Sequence, residues 1–263
     1  MITAINGVRL AYDDAGLGLP VVYVHGYPHD RTLWAPQIGA LTIPTRAVAV
    51  DLRGFGESGG TATCIDQYAD DIAALIAELG LIRVAIVGVS MGGYVALALW
   101  RRAPDLIRAM ALVSTRAGAD DAAGRARRDR QIEFMHARGT AALADELIMG
   151  MVGATTHAQR PELVRSIHAM LARAPVPAIV GALTAMRDRA DSTPTLPTIS
   201  VPALVVAGDE DTLIPPGEAH ALHAGIARSR LEIVAGTGHL PNAERPAAFN
   251  HILSEFFSTL AYM

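Results

Sequence analysis

Continuous apolar runs and segments of helical periodicity alternate along this chain. A run rich in Val, Ile and Ala, without polar alternation, predicts a strand that is covered on both faces of a sheet. Six such runs lie at residues 21–24, 46–50, 84–87, 107–113, 203–207 and 231–234. Apolar residues at helical spacing fill the segments 34–41, 63–79, 91–102, 216–227 and 245–260 instead. The alternation predicts the α/β class, with a mostly parallel sheet flanked by helices.

Two further strands are predicted at the start of the chain. Residues 2–5 and 8–13 are joined by Asn6-Gly7, a pair that favours the type I′ turn of a β-hairpin. With this hairpin, the predicted sheet has eight strands.

The pattern changes between residues 116 and 200, where the strand signals stop. Ala, Arg and Met at helical spacing dominate this segment, and Gly and Pro interrupt it. Helices inserted after the sixth strand predict a cap, or lid, over the strand ends where open α/β sheets bind ligands. We expect a core of residues 1–115 and 201–263 and a cap of residues 116–200. We interpret the arginine-rich run at 125–130 as a solvated helix face rather than an anion site.

Composition excludes some classes of function. The chain has 263 residues and a formal net charge of only −4, which argues against nucleic-acid and membrane-surface partners. Its 22 basic residues are all arginine. Cys64 is the single cysteine, so neither a disulfide framework nor a cysteine metal site is expected. Because no signal-peptide pattern opens the chain, we expect a cytoplasmic protein. We assign it no metal and no cofactor.

The pattern Gly88-x-Ser90-x-Gly92 stands between a predicted strand and a predicted helix. Three fixed positions arise by accident in glycine-rich chains, but strand, tight turn and helix are the context that a nucleophile elbow requires. A membrane helix over 84–100 is the other interpretation of this apolar stretch, and its length and central glycines argue against it. Ser90 is therefore the candidate nucleophile.

A serine hydroxyl needs a base within hydrogen-bond reach, and the base needs a group that orients it. His239 lies in a glycine-flanked loop after the last predicted strand, which brings it to the same sheet edge as Ser90. The strand ending at 113 is followed by no carboxylate, so the acid must follow the next strand, where Asp209 and Asp211 stand. We favour Asp211, which is far enough into the loop to turn toward His239, and expect Asp209 to organise the loop.

Five motifs follow one another along the chain. They are His-Gly-x-Pro at 25–28, Asp-x-Arg-Gly-x-Gly-x-Ser at 51–58, Gly-x-Ser-x-Gly-Gly at 88–93, Gly-Asp-x-Asp-x-x-x-Pro at 208–215 and Gly-His-x-x-x-x-Glu-x-Pro at 238–246. In these motifs the chain resembles the α/β-hydrolase superfamily over nearly its whole length. The resemblance implies that Ser90, Asp211 and His239 form a catalytic triad and that the Tyr27 and Met91 N–H groups form the oxyanion hole.

Two loops carry structural expectations. His25 is interpreted as a structural residue that holds its loop, not as a proton carrier. The loop at 51–58 is interpreted as a scaffold beside the site, with charges that pair among themselves.

Within the superfamily, the chain looks most like 3-oxoadipate enol-lactonase, the cofactor-free haloperoxidases and simple carboxylesterases. This implies a serine hydrolase that cleaves a small carboxylic ester or lactone through an acyl-enzyme, with perhydrolysis as a side activity. Met135 and Met151 in the cap, together with Leu240 beside His239, are the predicted substrate contacts.

Two alternatives use the same pocket. A hydroxynitrile-lyase-type enzyme is disfavoured because the lysine that often marks such enzymes is absent from this chain. A hydrolase-like receptor would keep the triad and bind a small molecule without turnover. The sequence leaves the oligomeric state open.

Overall fold

One sheet runs through the protein in a computed structural model that describes residues 1–262. Its strands are β1 (Ile2–Ile5), β2 (Val8–Ala15), β3 (Leu19–Val24), β4 (Thr45–Val50), β5 (Val84–Val89), β6 (Ile107–Val113), β7 (Ala203–Gly208) and β8 (Ser229–Val234). The strand order is β1-β2-β4-β3-β5-β6-β7-β8. Pairing is antiparallel from β1 to β4 and parallel from β4 to β8. The predicted eight-stranded, mostly parallel sheet is confirmed.

Helices cover both faces of this sheet. They are α1 (Ile65–Glu78), α2 (Met91–Arg102), α3 (Ala122–Met151), α4 (Ala154–Gln159), α5 (Pro161–Ala172), α6 (Val176–Arg187), α7 (Pro216–Gly225), α8 (Pro241–Glu244) and α9 (Pro246–Ser258). Short 3₁₀ segments lie at Arg31–Trp34, Pro104–Leu106, Thr193–Thr198 and Thr259–Tyr262.

Alternate residues of each central strand enter different apolar clusters. In β3, Val22 and Val24 pack in the cluster that contains α1 and α2. Val21 and Tyr23 point the other way, into the cluster that contains Trp34 and much of α9. Because successive side chains of a strand point to opposite faces, a run with no polar residue must be buried on both sides. The apolar runs in the sequence are explained by this two-sided burial.

The helix predicted at 34–41 is wrong. The chain forms a 3₁₀ segment at Arg31–Trp34 instead, and Asp30 caps it by accepting the Thr32 N–H at 2.9 Å. Turns follow to residue 40. Pro36 has no N–H to continue a helix, and Gly39 takes a φ of +71°, so the apolar spacing does not become helical.

The segment 116–200, which we call the cap, holds helices α3 to α6 between β6 and β7. Helix α3 bends at Gly139, where φ is +78°, and packs against α5 and α6. No single described helix is long and apolar enough to cross a membrane; α5 and α6 meet that test only as a pair bent by 92°.

The charged residues of the loop at 51–58 form ion pairs with residues outside the loop and not with one another. The Arg53 guanidinium binds the Asp71 carboxylate of α1 through two hydrogen bonds of 2.7 and 2.8 Å, and Asn6 of the hairpin donates to the same carboxylate at 3.0 Å. Asp51 and Glu57 both bind Arg31, which lies outside the loop. The expectation that the charges of this loop pair among themselves is therefore wrong. They join the loop to α1, the hairpin and the segment after β3.

We expect Asp71→Ala to destabilise the fold by about 3 kcal/mol, because it leaves the buried Arg53 guanidinium without its counter-charge. Asp70→Ala is the matched control. Asp70 is the preceding residue of α1, and its pair with Arg102 is about half exposed, so its loss is expected to cost less than about 1 kcal/mol. Urea unfolding of both variants measures the difference, and equal losses would contradict it.

Candidate active site

Ser90 lies on the sharp turn between β5 and α2, at the carboxyl end of a central strand. Its φ is +54° and its ψ is −116°, which is a strained conformation for a residue with a side chain. The Ser90 N–H donates to the Val113 carbonyl at 2.8 Å, and Thr115 Oγ1 donates to the Ser90 carbonyl at 2.8 Å. Neighbouring β6 therefore holds the strained turn in place, as a nucleophile elbow requires.

The two glycines of the elbow are required sterically. A Cβ atom at Gly88 would lie 2.3 Å from the Gly92 carbonyl oxygen. A Cβ atom at Gly92 would lie 2.2 Å from the Val24 carbonyl oxygen of β3. Both distances are far below van der Waals contact with a rigid backbone atom, so the chain can reverse this closely only with glycine at both positions.

His239 and Asp211 form a buried hydrogen-bonded pair. The distance from His239 Nδ1 to Asp211 Oδ2 is 2.8 Å, and the side chains are 2% and 0% exposed. The other oxygen of Asp211 accepts the N–H groups of Leu213 at 2.9 Å and Ile214 at 3.0 Å. Because a carboxylate in this position only accepts, His239 carries its proton on Nδ1 when neutral. Its Nε2 is then free to accept a proton.

Asp209 does not touch His239. Its carboxylate accepts the Gly236 N–H at 2.7 Å and the Thr237 N–H at 3.3 Å, and so holds the start of the histidine loop. The structure thus places Asp211, and not Asp209, on the imidazole, as the spacing along the loop favoured.

Glu244 fixes the histidine loop to the cap, a role that the sequence did not reveal. Its buried carboxylate accepts the N–H groups on both sides of His239, from Gly238 at 2.9 Å and from Leu240 at 3.0 Å. It also accepts the Gly153 N–H at 2.8 Å, at the start of α4. The glutamate of the motif at 238–246 was the available signal, but the motif alone does not show what that residue binds.

Glu210 makes a parallel connection from the acid loop. It accepts the Thr155 N–H at 2.8 Å and also the Thr155 hydroxyl. The first turn of α4 in the cap is therefore bound to both loops that carry the imidazole–carboxylate pair.

Ser90 and His239 line one cavity of about 180 Å³. Tyr27 and Tyr94 also line it from the core, and Thr212, Leu213 and Ile214 do so beside Asp211. The cap contributes Arg116, Arg127, Arg128, Gln131, Leu147, Met151 and Met186. The cavity thus lies between the strand ends and the cap, with the predicted nucleophile and base on its wall.

The predicted substrate contacts are only partly placed on this cavity. Met151 lines it. Met135 is 1% exposed and packs in the apolar cluster of α1 and α2, while Leu240 is fully buried in the cluster of Trp34 and α9. The assignment of Met135 and Leu240 to substrate binding is corrected for this reason: their side chains complete the core instead of facing the cavity.

The predicted oxyanion donors follow the carboxyl ends of two neighbouring strands, β3 and β5. Tyr27 follows β3, which pairs with β5, and Met91 is the first residue of α2. Among the described residues, neither N–H group donates a hydrogen bond within the protein. Both are therefore available to a ligand, and the α2 N-terminus favours negative charge nearby.

His25 is a structural residue, as expected. Its Nδ1 lies 2.8 Å from the Gly26 carbonyl oxygen and its Nε2 lies 3.0 Å from the Leu52 nitrogen, so Nδ1 donates and Nε2 accepts. Burial lowers the pKa of His25, and the imidazole stays neutral. Burial, reinforced by neighbouring His25 and His239, likewise lowers the pKa of His29 to about 3.

The interpretation of residues 125–130 as a wholly solvated helix face is wrong in part. Arg127 and Arg128 line the cavity, and Arg128 Nε lies 3.1 Å from the buried Asp120 carboxylate. Helical periodicity does not show this, because the partner carboxylate lies before the helix begins.

A serine on a strained strand-to-helix turn and a buried imidazole–carboxylate pair at two further strand ends are the features that define the α/β-hydrolase class. The chain belongs to this class: the model of the alpha/beta hydrolase family matches residues 21–252.

Solved and curated relatives agree with this assignment. A thermophilic esterase from Thermogutta terrifontis, solved with malate bound, is 36% identical with a TM-score of 0.93, covering 98% of this chain and 97% of that one. The enol-lactonase from Burkholderia xenovorans LB400 is 28% identical with a TM-score of 0.91, covering 98% and 100%. The provisionally assigned non-heme bromoperoxidase BpoC of Mycobacterium tuberculosis is 30% identical over 96% of this chain and 99% of its own. The family group expected from the motifs is confirmed.

The neutral His29 makes stability depend on pH. The unfolded chain binds a proton at His29 near the ordinary pKa of 6.5, whereas the folded protein binds one only near pH 3. Neutral His29 therefore contributes fully to the free energy of unfolding above pH 6.5. Below that pH the contribution is lost, by about 1.4 kcal/mol per pH unit.

We expect His29→Leu to flatten the pH dependence of the free energy of unfolding by about this amount between pH 6.5 and 5. Urea unfolding at several pH values measures the slope of the free energy of unfolding against pH. A change in packing shifts the free energy of unfolding at pH 7.5 but does not change this slope. An unchanged slope would contradict the burial of a neutral imidazole at this position.

Proposed function

We propose that the protein is a serine hydrolase that cleaves a small carboxylic ester or lactone through an acyl-enzyme. The observation that carries this proposal is the 2.8 Å hydrogen bond from His239 Nδ1 to Asp211, on an imidazole that lines the same cavity as Ser90. This arrangement supplies a nucleophile, a base with Nε2 free and a group that orients the base.

Acylation begins when His239 Nε2 takes the proton from Ser90 Oγ. The oxygen attacks the substrate carbonyl carbon, and the oxyanion accepts hydrogen bonds from the Tyr27 and Met91 N–H groups. Asp211 stabilises the imidazolium that forms, without itself taking the proton. His239 then gives the proton to the leaving oxygen. With an ester the alcohol departs, whereas with a lactone it stays attached to the acyl group after ring opening.

Deacylation repeats these steps with water. His239 removes a proton from a water molecule, which attacks the acyl carbon, and the same N–H groups hold the second oxyanion. Ser90 Oγ leaves and regains its proton from His239. The carboxylic acid is released, and the enzyme returns to its starting state.

The comparisons favour this class of reaction. The esterase from Thermogutta terrifontis and the enol-lactonase from Burkholderia xenovorans are named for cleavage of esters and lactones, and both match this chain along nearly its whole length. Residues from the cap line the cavity beside Ser90, which supports its role as a lid that excludes water and shapes the substrate site. The receptor and lyase alternatives share the pocket but form no acyl-enzyme.

We expect Ser90→Ala to lose a factor on the order of 10³ or more in kcat for a p-nitrophenyl ester, because only binding and the oxyanion hole remain. Ser114→Ala is the matched control: Ser114 follows the neighbouring strand β6 but is buried, with 1% exposure. It is expected to keep wild-type turnover.

Mass spectrometry of acid-quenched wild-type enzyme is expected to show one acyl group on the Ser90 peptide. Wild-type turnover by Ser90→Ala would refute the proposal. Ester binding without multiple turnovers by the wild type would favour a receptor, and turnover without an acyl adduct would favour a lyase-type mechanism.

A further inference from the structure

Three guanidinium groups converge on one buried carboxylate at the base of the cap. Asp120 Oδ1 accepts from Arg189 Nη1 at 2.8 Å and also from Arg116, while Asp120 Oδ2 lies 3.1 Å from Arg128 Nε. The Asp120 side chain is fully buried, and the three arginine side chains are between 3% and 21% exposed. Burial raises the pKa of the Asp120 carboxyl, but hydrogen bonds and charge from Arg189 and Arg128 outweigh burial and hold that pKa below its ordinary value. The carboxylate is thus ionised and fully engaged.

The cluster carries more positive than negative charge. One carboxylate faces three guanidinium groups, so two positive charges remain uncompensated within it. Arg127, exposed on the same cavity wall, adds a third, and it has no carboxylate partner among the described residues. Glu218 acts on Arg116 only through space, and Asp211 is engaged with His239.

The arginines of the cluster have different roles. Arg189 is nearly buried, donates to the Met186 and Gly118 carbonyls, and stacks over the Tyr94 ring at 4.2 Å, so it holds the cap together. Arg116 and Arg128 bind Asp120 but also line the cavity. Arg127 lines the cavity without any such structural contact. Arg116 and Arg128 are partly buried, and their positive charge is costly unless an anion in the cavity balances it.

We propose that the ester or lactone hydrolysed at Ser90 carries a free carboxylate, which Arg116, Arg127 and Arg128 bind on the cap side of the cavity. This inference rests on the proposed function. A guanidinium group presents paired N–H donors that match a carboxylate, which makes arginine suited to this recognition.

The size of the cavity limits the span of such a substrate. Ser90 and the three arginines line the same cavity of about 180 Å³. A cavity of this size suits a short acyl chain in which a few carbon atoms separate the carboxylate from the ester carbonyl. A half-ester of glutarate has this form.

The test compares two esters that differ in one charge: p-nitrophenyl hydrogen glutarate, which carries the carboxylate, and p-nitrophenyl methyl glutarate, which does not. We expect wild-type kcat/KM to be about tenfold or more higher for the anionic ester, and high salt to reduce this preference. Arg127→Gln is expected to lower kcat/KM for the anionic ester by about tenfold more than it lowers kcat/KM for the neutral ester. Arg116→Gln is expected to act in the same direction.

Arg130→Gln is the matched control. Arg130 is exposed on α3 three residues after Arg127, but it is not on the cavity wall. Arg130→Gln removes the same charge from the protein as Arg127→Gln and is expected to leave kcat/KM for both esters unchanged. Equal wild-type rates on the two esters, or equal losses on both in Arg127→Gln, would overturn the carboxylate site while leaving the serine hydrolase intact.

A binding measurement separates the two proposals. In the Ser90→Ala background, calorimetric titration is expected to show binding of monomethyl glutarate and about tenfold weaker binding once Arg127→Gln is added. Dimethyl glutarate is expected to bind weakly to both proteins. If the wild type cleaves neither ester but this pattern holds, the proposed reaction fails and the carboxylate site stands. Equal binding of the two compounds would refute the site.

Discussion

The hydrogen bond between His239 and Asp211 is the constraint on which the rest of the site depends. Both side chains are almost completely buried, and burial of an imidazole is costly unless its nitrogens are used. Asp211 accepts the hydrogen bond of Nδ1, and its second oxygen accepts two backbone N–H groups, which favours one orientation of the carboxylate against the imidazole. Neutral His239 is therefore held as the tautomer with its proton on Nδ1, and the residue lines the cavity that Ser90 also lines. A strained serine is useful as a nucleophile only opposite a base that is fixed in this way.

The cap shares this constraint. The first turn of α4 is bound by Glu244, which also holds the backbone on both sides of His239, and by Glu210, which precedes Asp211. The segment that shapes the cavity is thus joined to the loops that carry His239 and Asp211. A displacement of α4 would be transmitted to the histidine loop through one buried carboxylate. The arginine cluster around Asp120 belongs to the same cap, and its Arg116 and Arg128 line the cavity that His239 lines.

The parts of the fold that sequence predicted best are those where one steric requirement dominates. Two-sided burial leaves continuous apolar strands, and the reversal after β5 requires glycine at 88 and 92, so the sheet and the elbow were predictable. Asp211 was predictable because loop length separates it from Asp209. The remainder depends on contacts between distant segments. The spacing of apolar residues could not show that Glu244 binds the cap, nor which face of α3 carries Arg127.

The most direct test of the central claim is a crystal structure of the enzyme after reaction with a p-nitrophenyl alkylphosphonate, whose adduct resembles the tetrahedral intermediate. We predict phosphorus bonded to Ser90 Oγ, with one phosphoryl oxygen about 3 Å from the Tyr27 and Met91 nitrogens. His239 should keep its hydrogen bond to Asp211 and present Nε2 to the adduct. Phosphorus on another residue, or a His239 ring turned away from Asp211, would contradict the claim that these side chains act as one catalytic unit.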